Sequence, residues 1–353
     1  MDPKSNPSIS IREVAAAARV SVATISRVLN GKGPIHPDTR QRVLEVVADL
    51  GYVPHSGARS LSTRQTSSVG VILPDVYGEF FSELIRGIDQ ASKRAGYHLL
   101  VSGSHSDPAE VDALLRALHG RVDGLIIMAS MRNAGAIRIP PGVPAVFLGD
   151  TPAPGSHPSL RIDNAGGAWA VAEHLLDLGH RRIAVISGPA ENSDAEARLL
   201  GFRAALAARG VELEPELLVV GDFREESGRS AALALAGLPT RPTAIFAAND
   251  AMAIGCLSAL RELGLSVPED VALAGFDDVP ISRYLSPPLT SVRVAIAELG
   301  ERAMTRLLGG LEERGTEPLE ETIPAALVVR ASTAGRQGIE GMCRSLGRET
   351  GRN

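Results

Sequence analysis

Apolar and polar positions in the first fifty residues alternate with helical spacing. Four apolar residues lie at i, i+3, i+4 and i+7, the spacing of one helix face: Ile11, Val14, Ala15 and Ala18. A second helix is predicted over residues 22–29, with Ser21 as its N-cap. Ile25 and Val28 share the face that can pack on the first helix, and the opposite face is small and polar.

A stop signal and a third helix complete this pattern. Asn30-Gly31 can end the second helix, because both residues tolerate left-handed backbone. Pro37 suits the first turn of a third helix, and Val43, Val47 and Leu50 would form its apolar face. Three short helices with a tight turn between the first two are typical of the helix-turn-helix motif. A small helical bundle with no role in nucleic-acid binding is the alternative.

From Ser67 onward, short apolar runs alternate with longer amphipathic stretches. The apolar runs predict buried strands: Val69–Leu73, His98–Ser102, Gly124–Met128, Ala145–Leu148, Ile183–Ser187, Leu217–Gly221, Ala244–Ala247 and Val271–Gly275. The amphipathic stretches predict helices: Phe80–Ala95, Glu110–His119, Ala165–Leu178, Ala195–Arg209, Ser227–Ala236 and Ala251–Leu263. This alternation indicates an α/β fold with parallel sheets and helices on both faces, in which ligands bind beyond the carboxyl ends of the strands.

Length and composition favour a globular protein with more than one domain. The chain has 353 residues, 44% hydrophobic and 22% charged, whereas a single core rarely exceeds ~300 residues. No apolar run reaches the ~18 residues of a membrane span, and residues 1–10 lack the regions of a secretory signal. Two cysteines, Cys256 and Cys343, suggest neither a disulfide framework nor a metal site. We therefore expect a cytoplasmic protein.

Charge is distributed unevenly along the chain. Residues 1–66 contain nine basic and five acidic side chains, a net charge of +4. The whole chain has a net charge of −5, so the remainder has −9. A positively charged head on a negatively charged body is consistent with a head that contacts phosphate groups and a body that does not.

Sequence signatures of the common α/β enzymes are missing. The first predicted strand ends in Leu73-Pro74-Asp75 without the glycine-rich dinucleotide fingerprint. Neither a phosphate-binding P-loop nor a G-x-S-x-G nucleophile elbow occurs. The eight histidines have no paired metal-ligand spacing. The sequence therefore predicts no enzymatic activity, no cofactor and no metal.

The head resembles that of a known family. Residues 11–33, IREVAAAARVSVATISRVLNGKG, are similar to the headpiece of the lactose-repressor/purine-repressor (LacI/GalR) family. The resemblance implies that the second helix enters the major groove, with base contacts from Val22, Ala23 and Arg27. Phosphate contacts are implied for four further residues: Ser21, Thr24, Ser26 and Asn30. Glu13 and Arg19 depart from the Asp and Gly that are usual in the family.

The segment after the third helix resembles the hinge of the same family. Gly51 to Thr63 reads GYVPHSGARSLST, similar to the family pattern Y-x-P-N-x-x-A-R-x-L. There, a short helix forms on DNA and paired leucines wedge into a minor-groove step. Ala58 and Leu61 match the implied DNA contacts. An ordinary linker rich in proline, glycine and serine is the alternative.

Similarity to the family continues through the core, over residues 122–127, 163–164, 173–183, 188–189, 198–202, 248–250, 275–278, 288–292 and 329–333. The resemblance implies two Rossmann-like lobes of the periplasmic-binding-protein type that exchange the chain three times. The expected head is 1–52, the hinge 53–66 and the core 67–334. The expected N-lobe is 67–162 with 292–324, and the expected C-lobe is 163–291 with 325–334.

The resemblance also implies which polar residues bind an effector between the lobes. Asn249, Asp277 and Arg198 offer the donors and acceptors that suit vicinal hydroxyls; holding a loop is the alternative role for Asp277. Asn192 and Asp194 stand where the purine-sensing branch has an Arg and a Thr. These two residues favour a sugar, sugar phosphate or nucleoside over a purine base, and the additional carboxylate disfavours phosphate.

Three of the seven phenylalanines match positions that line the cleft and stack on a flat ring: Phe80, Phe81 and Phe223. For Phe80 and Phe81, packing in the core is an equal alternative, because one residue of an adjacent helical pair turns inward.

Together, these features predict a homodimeric, effector-controlled transcriptional repressor that binds pseudo-palindromic operator DNA. Residues 335–353 are expected to be a disordered tail without the leucine heptads of a tetramer helix. The alternatives are a sugar-active enzyme with an attached DNA-binding head and a transcriptional activator of the same family.

Gly57 provides a test of the hinge, because the family usually has Ala or Val at this position. Glycine in a helix costs ~1 kcal/mol relative to alanine, so this hinge should be only marginally helical on DNA. We expect Gly57→Ala to tighten operator binding, measured by fluorescence anisotropy on a labelled duplex. Unchanged or weaker binding would contradict a helical hinge.

Overall fold

The computed structural model describes residues 9–29, 33–52, 65–129, 135, 137–312 and 320–334. The chain forms two compact units, residues 1–66 and 67–353. Most of the predicted hinge, with Gly57, Ala58 and Leu61, lies outside the described residues, as do Asn30 and the predicted tail. Within the described ranges, no helix is both long and apolar enough to span a bilayer.

The head consists of helices α1 (Ile11–Ala17), α2 (Val22–Leu29) and α3 (Pro37–Asp49). A capping box begins α1, where the Ser10 N–H donates to Glu13 Oε2 at 2.7 Å and the Glu13 N–H donates to Ser10 Oγ at 3.4 Å. The apolar positions of all three helices meet in one small core: Val14, Ala15, Ala18, Ile25, Val28, Val43 and Tyr52.

The second unit begins with a sheet of six parallel strands in the order β11-β5-β4-β3-β1-β2. The strands are β1 (Ser68–Leu73), β2 (His98–Gly103), β3 (Gly124–Ala129), β4 (Ala145–Gly149), β5 (Ser159–Ile162) and β11 (Glu320–Ile323). The associated helices are α4 (Glu79–Arg94), α5 (Pro108–Leu118) and α10 (Ile296–Glu312). These elements form lobe 1.

Lobe 2 contains the second six-stranded sheet, in the order β12-β10-β9-β8-β6-β7. The strands are β6 (Ile183–Ser187), β7 (Leu218–Val220), β8 (Ala244–Ala247), β9 (Ala272–Asp277), β10 (Thr290–Val294) and β12 (Ala325–Val328). The helices are α6 (Asn164–Asp177), α7 (Ser193–Ala208), α8 (Glu225–Ala236) and α9 (Asp250–Glu262), with 3₁₀ turns at Pro215–Leu217 and Pro280–Tyr284.

The chain passes between the lobes three times. It leaves lobe 1 after Ile162, returns after Val294 to form α10 against α4, and leaves again between Ile323 and Ala325. The expected return at residues 291–292 therefore falls inside β10. The structure moves this boundary to between Val294 and Ile296, because β10 remains paired with β9 up to Arg293 and α10 begins at Ile296.

All predicted core strands and helices are present, with ends within one or two residues of the expected ones. Both sheets have the predicted parallel pairing, except that the edge strand β12 of lobe 2 is antiparallel to β10. This arrangement follows from the last crossing, because the chain re-enters lobe 2 beside β10 without an intervening crossover helix. The prediction missed five elements, the short strands β5, β11 and β12 together with β10 and α10.

Two glycines allow helices α8 and α9 of lobe 2 to pack closely against each other. A Cβ on Gly255 of α9 would overlap the backbone carbonyl of Glu225, and a Cβ on Gly228 of α8 would overlap that of Met252. The two contacts are reciprocal, so α8 and α9 pack backbone against backbone. Because the obstructing atoms are main-chain atoms, neither helix can accommodate a methyl group by a rotamer change.

We expect Gly255→Ala to destabilise lobe 2 by about 1 to 3 kcal/mol through overpacking, measured by urea unfolding. Gly309→Ala is the matched control, since Gly309 is also helical but has no atom near the added Cβ. The control should be neutral or gain up to ~1 kcal/mol from helix propensity. Equal effects of the two substitutions would contradict the close α8–α9 contact.

Candidate functional site

The first turns of α2 present small polar and apolar side chains to solvent. Val22 is 40% exposed, and Ala23 and Arg27 are also exposed. Ile25 and Val28 on the opposite side are buried in the head core. The helix therefore offers a narrow surface with one long cation, which can approach a groove without steric obstruction.

Hydrogen bonds fix the beginning of α2. The Thr24 N–H donates to Ser21 Oγ at 3.1 Å, and the two hydroxyl groups lie 2.9 Å apart. Ser21 is therefore the N-cap that its position predicts. The preceding turn contains Arg19 with a φ of +52°, a left-handed conformation that favours glycine and explains the glycine of the family pattern.

Arg198 of α7 is the centre of a buried polar cluster in lobe 2. Its Nη2 lies 3.2 Å from Oδ1 of Asp277, and both side chains are only 6% exposed. Its Nε donates to Asn164 Oδ1 at 2.7 Å, and its Nη1 donates to the carbonyl of Ala248. The guanidinium carbon also lies 3.8 Å from the ring centroid of Phe276. Arg198 is therefore held on several sides.

Asp194 joins this cluster through Asn164, a residue whose role the sequence analysis missed. The Asn164 Nδ2 donates to Asp194 Oδ1 at 2.7 Å, while its Oδ1 accepts from Arg198. Asn164 begins α6 and is almost fully buried. Its position directly after the first crossing between the lobes is the sequence feature that could have identified it. Two carboxylates and one guanidinium thus share a small volume at the carboxyl ends of the strands.

The carboxylate of Asp277 is electrostatically unusual. Burial raises the pKa of Asp277, the nearby Arg198 opposes this rise and the carboxylate of Asp194 adds to it, so that the pKa moves from 3.8 to about 6. Its Oδ1 is the ion-pair partner of Arg198 Nη2, 3.2 Å away, and forms no hydrogen bond among the described residues. A buried acceptor of this kind gains free energy when a donor reaches it.

The two predicted asparagines begin helices. The Asn192 Oδ1 accepts from the Ala195 N–H at 2.9 Å at the start of α7. The Asn249 Oδ1 accepts from the Met252 N–H at 3.0 Å at the start of α9, and its Nδ2 donates to the Phe223 carbonyl at 2.9 Å. Both side chains therefore shape the edge of the site as helix caps.

The predicted aromatic residues lie on both lobes. Phe223 has a φ of +70° and its ring packs against Gly188, where a Cβ would overlap it. The Arg198 guanidinium lies 5.9 Å from the same ring. Phe80 and Phe81, in the first turn of α4, pack edge to face with centroids 5.4 Å apart. Both are partly buried against the core, so core packing and ligand contact remain alternatives for this pair.

Two contacts connect the lobes near the carboxyl ends of the strands, and the sequence analysis missed both. Arg224 Nη2 of lobe 2 lies 2.9 Å from Asp75 Oδ2 of lobe 1. The Ile281 N–H of lobe 2 donates to Glu79 Oε2 of lobe 1 at 3.1 Å. Burial alone would raise the pKa of Asp75, but backbone hydrogen bonds from Tyr77 and Val76, together with Arg224, lower it overall.

The raised pKa of Asp277 predicts a pH effect on stability. Between about pH 4 and pH 6 the folded state keeps a proton that the unfolded state has released, so stability falls as pH rises through this window. We compare the free energy of unfolding of the wild type with that of Asp277→Asn at each pH. The wild-type value minus the variant value should fall by on the order of 3 kcal/mol between pH 4 and pH 7. Urea titrations at successive pH values measure this difference, and a flat difference would contradict the raised pKa.

Comparison with known proteins identifies the relatives of both units. Residues 10–55 match the family described as bacterial regulatory proteins, lacI family, and residues 172–333 match a periplasmic binding protein-like domain. The HTH-type transcriptional repressor CytR of Escherichia coli K12 is 32% identical over 94% of this chain and 98% of its own length.

Solved structures agree with these matches. The lac repressor dimer bound to operator and the anti-inducer ONPF has a TM-score of 0.80 at 30% identity, covering 92% of this chain and 99% of that one. A LacI family transcriptional regulator from Enterococcus faecium with bound ribose has a TM-score of 0.66 at 27% identity, over 76% and 99% of the two chains. The chain therefore belongs to the lacI family of bacterial regulatory proteins.

Proposed function

We propose that this protein is a transcriptional repressor whose affinity for operator DNA is controlled by a small polyhydroxylated effector held between lobes 1 and 2. The head supplies the DNA contacts and lobe 2 supplies most of the effector contacts. The observation that carries the effector assignment is the buried Asp277 Oδ1, which is ion-paired with Arg198 but forms no hydrogen bond among the described residues.

For the DNA contacts, α2 enters the major groove, and Val22, Ala23 and Arg27 meet base edges. Ser21, Thr24 and Ser26 bind phosphates and set the register without reading sequence. The exposure of α2 and the net charge of the head support this assignment. Asn30, Ala58 and Leu61 complete the DNA contacts by family resemblance and lie outside the described residues.

For the effector contacts, a neutral polyol fits the charge of the site better than a phosphate ester. Asp194 and Asp277 contribute two carboxylates, and Arg198 contributes the single guanidinium that pairs within the cluster. A hydroxyl group can donate to Asp277 Oδ1, whereas a phosphate would be repelled by both carboxylates. The proposed effector is therefore a sugar or a nucleoside.

In this proposal, the other predicted effector residues provide apolar surfaces and helix ends around the ligand. Phe223 and the pair Phe80 and Phe81 provide apolar surfaces on opposite lobes for a ring face. Asn192 and Asn249 place the ends of α7 and α9 around the ligand through their caps.

A homodimer is the proposed assembly, as in the lac repressor dimer structure. Strand β2 is at the edge of its sheet and exposes Leu100 and Val101. Val76 and Tyr77, after the neighbouring strand β1, are 53% and 64% exposed. An apolar sheet edge of this kind is a typical protein–protein interface.

We further propose a cytoplasmic location and no catalytic activity, since the matching proteins are transcriptional regulators.

One binding experiment tests both halves of this function. Selection from random duplexes defines the operator, and anisotropy titrations then measure its affinity with and without D-ribose, cellobiose or each ribonucleoside. We expect one of these compounds to change operator affinity about 5- to 150-fold, the usual range of allosteric coupling. If no compound changes the affinity, the sugar-or-nucleoside class is contradicted.

In the same titrations, Arg27→Ala should weaken binding to the selected operator by about 1 to 3 kcal/mol and relax selectivity at one base pair. Arg116→Ala, with the same charge change on α5 of lobe 1, is the matched control and should not alter selectivity. Selection that yields no preferred sequence would contradict the repressor assignment independently of the effector result.

A further inference from the structure

The turn that carries Asp277 has an unfavourable backbone conformation. Asp277 has a φ of +108° and Asp278 a φ of +51°, so two consecutive residues other than glycine are left-handed. Each such residue costs on the order of 1 to 3 kcal/mol and persists only where its surroundings hold it. The groups that hold this turn therefore determine where the Asp277 carboxylate lies.

Asp250, the first residue of α9, accepts hydrogen bonds from this turn. Its Oδ2 accepts from the Val279 N–H at 2.9 Å and from Ser282 Oγ at 2.6 Å. Its Oδ1 accepts from Ser291 Oγ at 2.6 Å, and Ser291 Oγ in turn accepts from the Asp278 N–H at 3.1 Å. The two backbone amides that follow Asp277 are thus bound to Asp250, one directly and one through Ser291.

The space beneath the turn is shaped for this carboxylate. Asp250 is fully buried, and a Cβ on Gly275, two residues before Asp277, would overlap its Oδ1. Burial, together with the charge of Asp277, raises the pKa of Asp250 to about 7 against the lowering effect of the hydrogen bonds from Ser282, Ser291 and the Val279 N–H. Burying a carboxylate is costly, so the hydrogen bonds that Asp250 accepts are needed to stabilise it in this position.

Two ion pairs hold the side chain of Asp278, the second left-handed residue of the turn. The buried Asp278 carboxylate lies 2.7 Å from Arg293 Nε and 2.6 Å from Arg330 Nη2. These ion pairs fix the Asp278 side chain but do not bind the backbone amides of the turn. The amides, which set the left-handed conformation, depend on Asp250 and Ser291.

We propose that Asp250 is the positioning residue of the effector site: from beneath the sheet edge it holds the 277–279 turn so that Asp277 faces Arg198 and the effector. Asp250 is fully buried and acts only through Asp277. This inference rests on the proposed role of Asp277 in effector binding.

Crystal structures of Asp250→Ala and Asp250→Asn test this role without any ligand. In Asp250→Ala we expect the φ of Asp277 to leave the left-handed region and the Arg198 Nη2–Asp277 Oδ1 distance of 3.2 Å to be lost. Asp250→Asn retains an acceptor for the Val279 N–H and should keep the turn in place. An unchanged turn in Asp250→Ala would overturn the proposal.

Ser291→Ala keeps the test possible if Asp250→Ala does not fold, because it removes the hydroxyl that joins Asp250 Oδ1 to the Asp278 N–H and leaves the hydrogen bonds of Asp250 with Val279 and Ser282. Ser92→Ala is the matched control, a serine equally buried in lobe 1 whose hydroxyl donates to the Ile88 carbonyl. The turn should shift in Ser291→Ala and remain in place in Ser92→Ala. A turn that stays in place in Ser291→Ala would likewise overturn the proposal.

Calorimetric titration with D-ribose separates positioning from general stability. Ser291→Ala should weaken D-ribose binding about tenfold in the wild-type background and not at all in an Asp277→Asn background, because coupled residues are non-additive. Equal losses in both backgrounds would indicate a merely structural role and contradict the proposal. If the wild type does not bind D-ribose, that result contradicts a ribose effector, and the crystal structures still decide the role of Asp250.

Discussion

The buried charge of Arg198 is the constraint around which lobe 2 is built. An unpaired guanidinium inside a protein would cost several kcal/mol, so its burial requires acceptors and π surfaces on several sides. Asn164, the Ala248 carbonyl, Asp277 and the ring of Phe276 supply them. These groups come from the starts of helices and the ends of strands. Their convergence forms a buried polar cluster at the carboxyl edge of the sheet, where we propose the effector binds.

Holding Asp277 beside Arg198 brings a second cost, the left-handed backbone of Asp277 and Asp278. The fold offsets this strain with buried polar groups beneath the turn rather than with apolar packing. Asp250, Ser282 and Ser291 come from α9, the 3₁₀ turn and β10, so three separate elements support one carboxylate. Strain of this kind, supported by several elements, is typical of functional sites.

Much of the fold could be predicted from sequence because its signals are local. Helix α2 has the predicted bounds, since Ser21 and the spacing of Ile25 and Val28 all lie within one short segment. Strands β5 and β11 gave no such signal, because they are short and β11 contains Glu320 and Glu321. Their pairing is non-local, because most of lobe 2, from α6 to β10, lies between β5 and β11 in the sequence.

The site was predicted less completely, because a residue type does not reveal its partner. Asn192 and Asn249 were predicted as effector ligands, yet both oxygens cap helices, a role that an asparagine before a helical stretch also predicts. Asp250 was noted only as part of a family segment, since nothing local shows that its carboxylate lies beneath a turn nearly thirty residues further along the chain.

One short segment joins the proposed effector site to a contact between the lobes. Asp277 begins a stretch that continues through Val279, which is bound to Asp250, to Ile281, whose N–H donates to Glu79 of lobe 1. A ligand that moves Asp277 therefore acts on the same segment that contacts lobe 1. The left-handed backbone and the hydrogen bonds of this segment limit how far Asp277 can move independently of it. Differential affinity for two lobe arrangements requires a stiff connection of this kind between ligand and lobe contact.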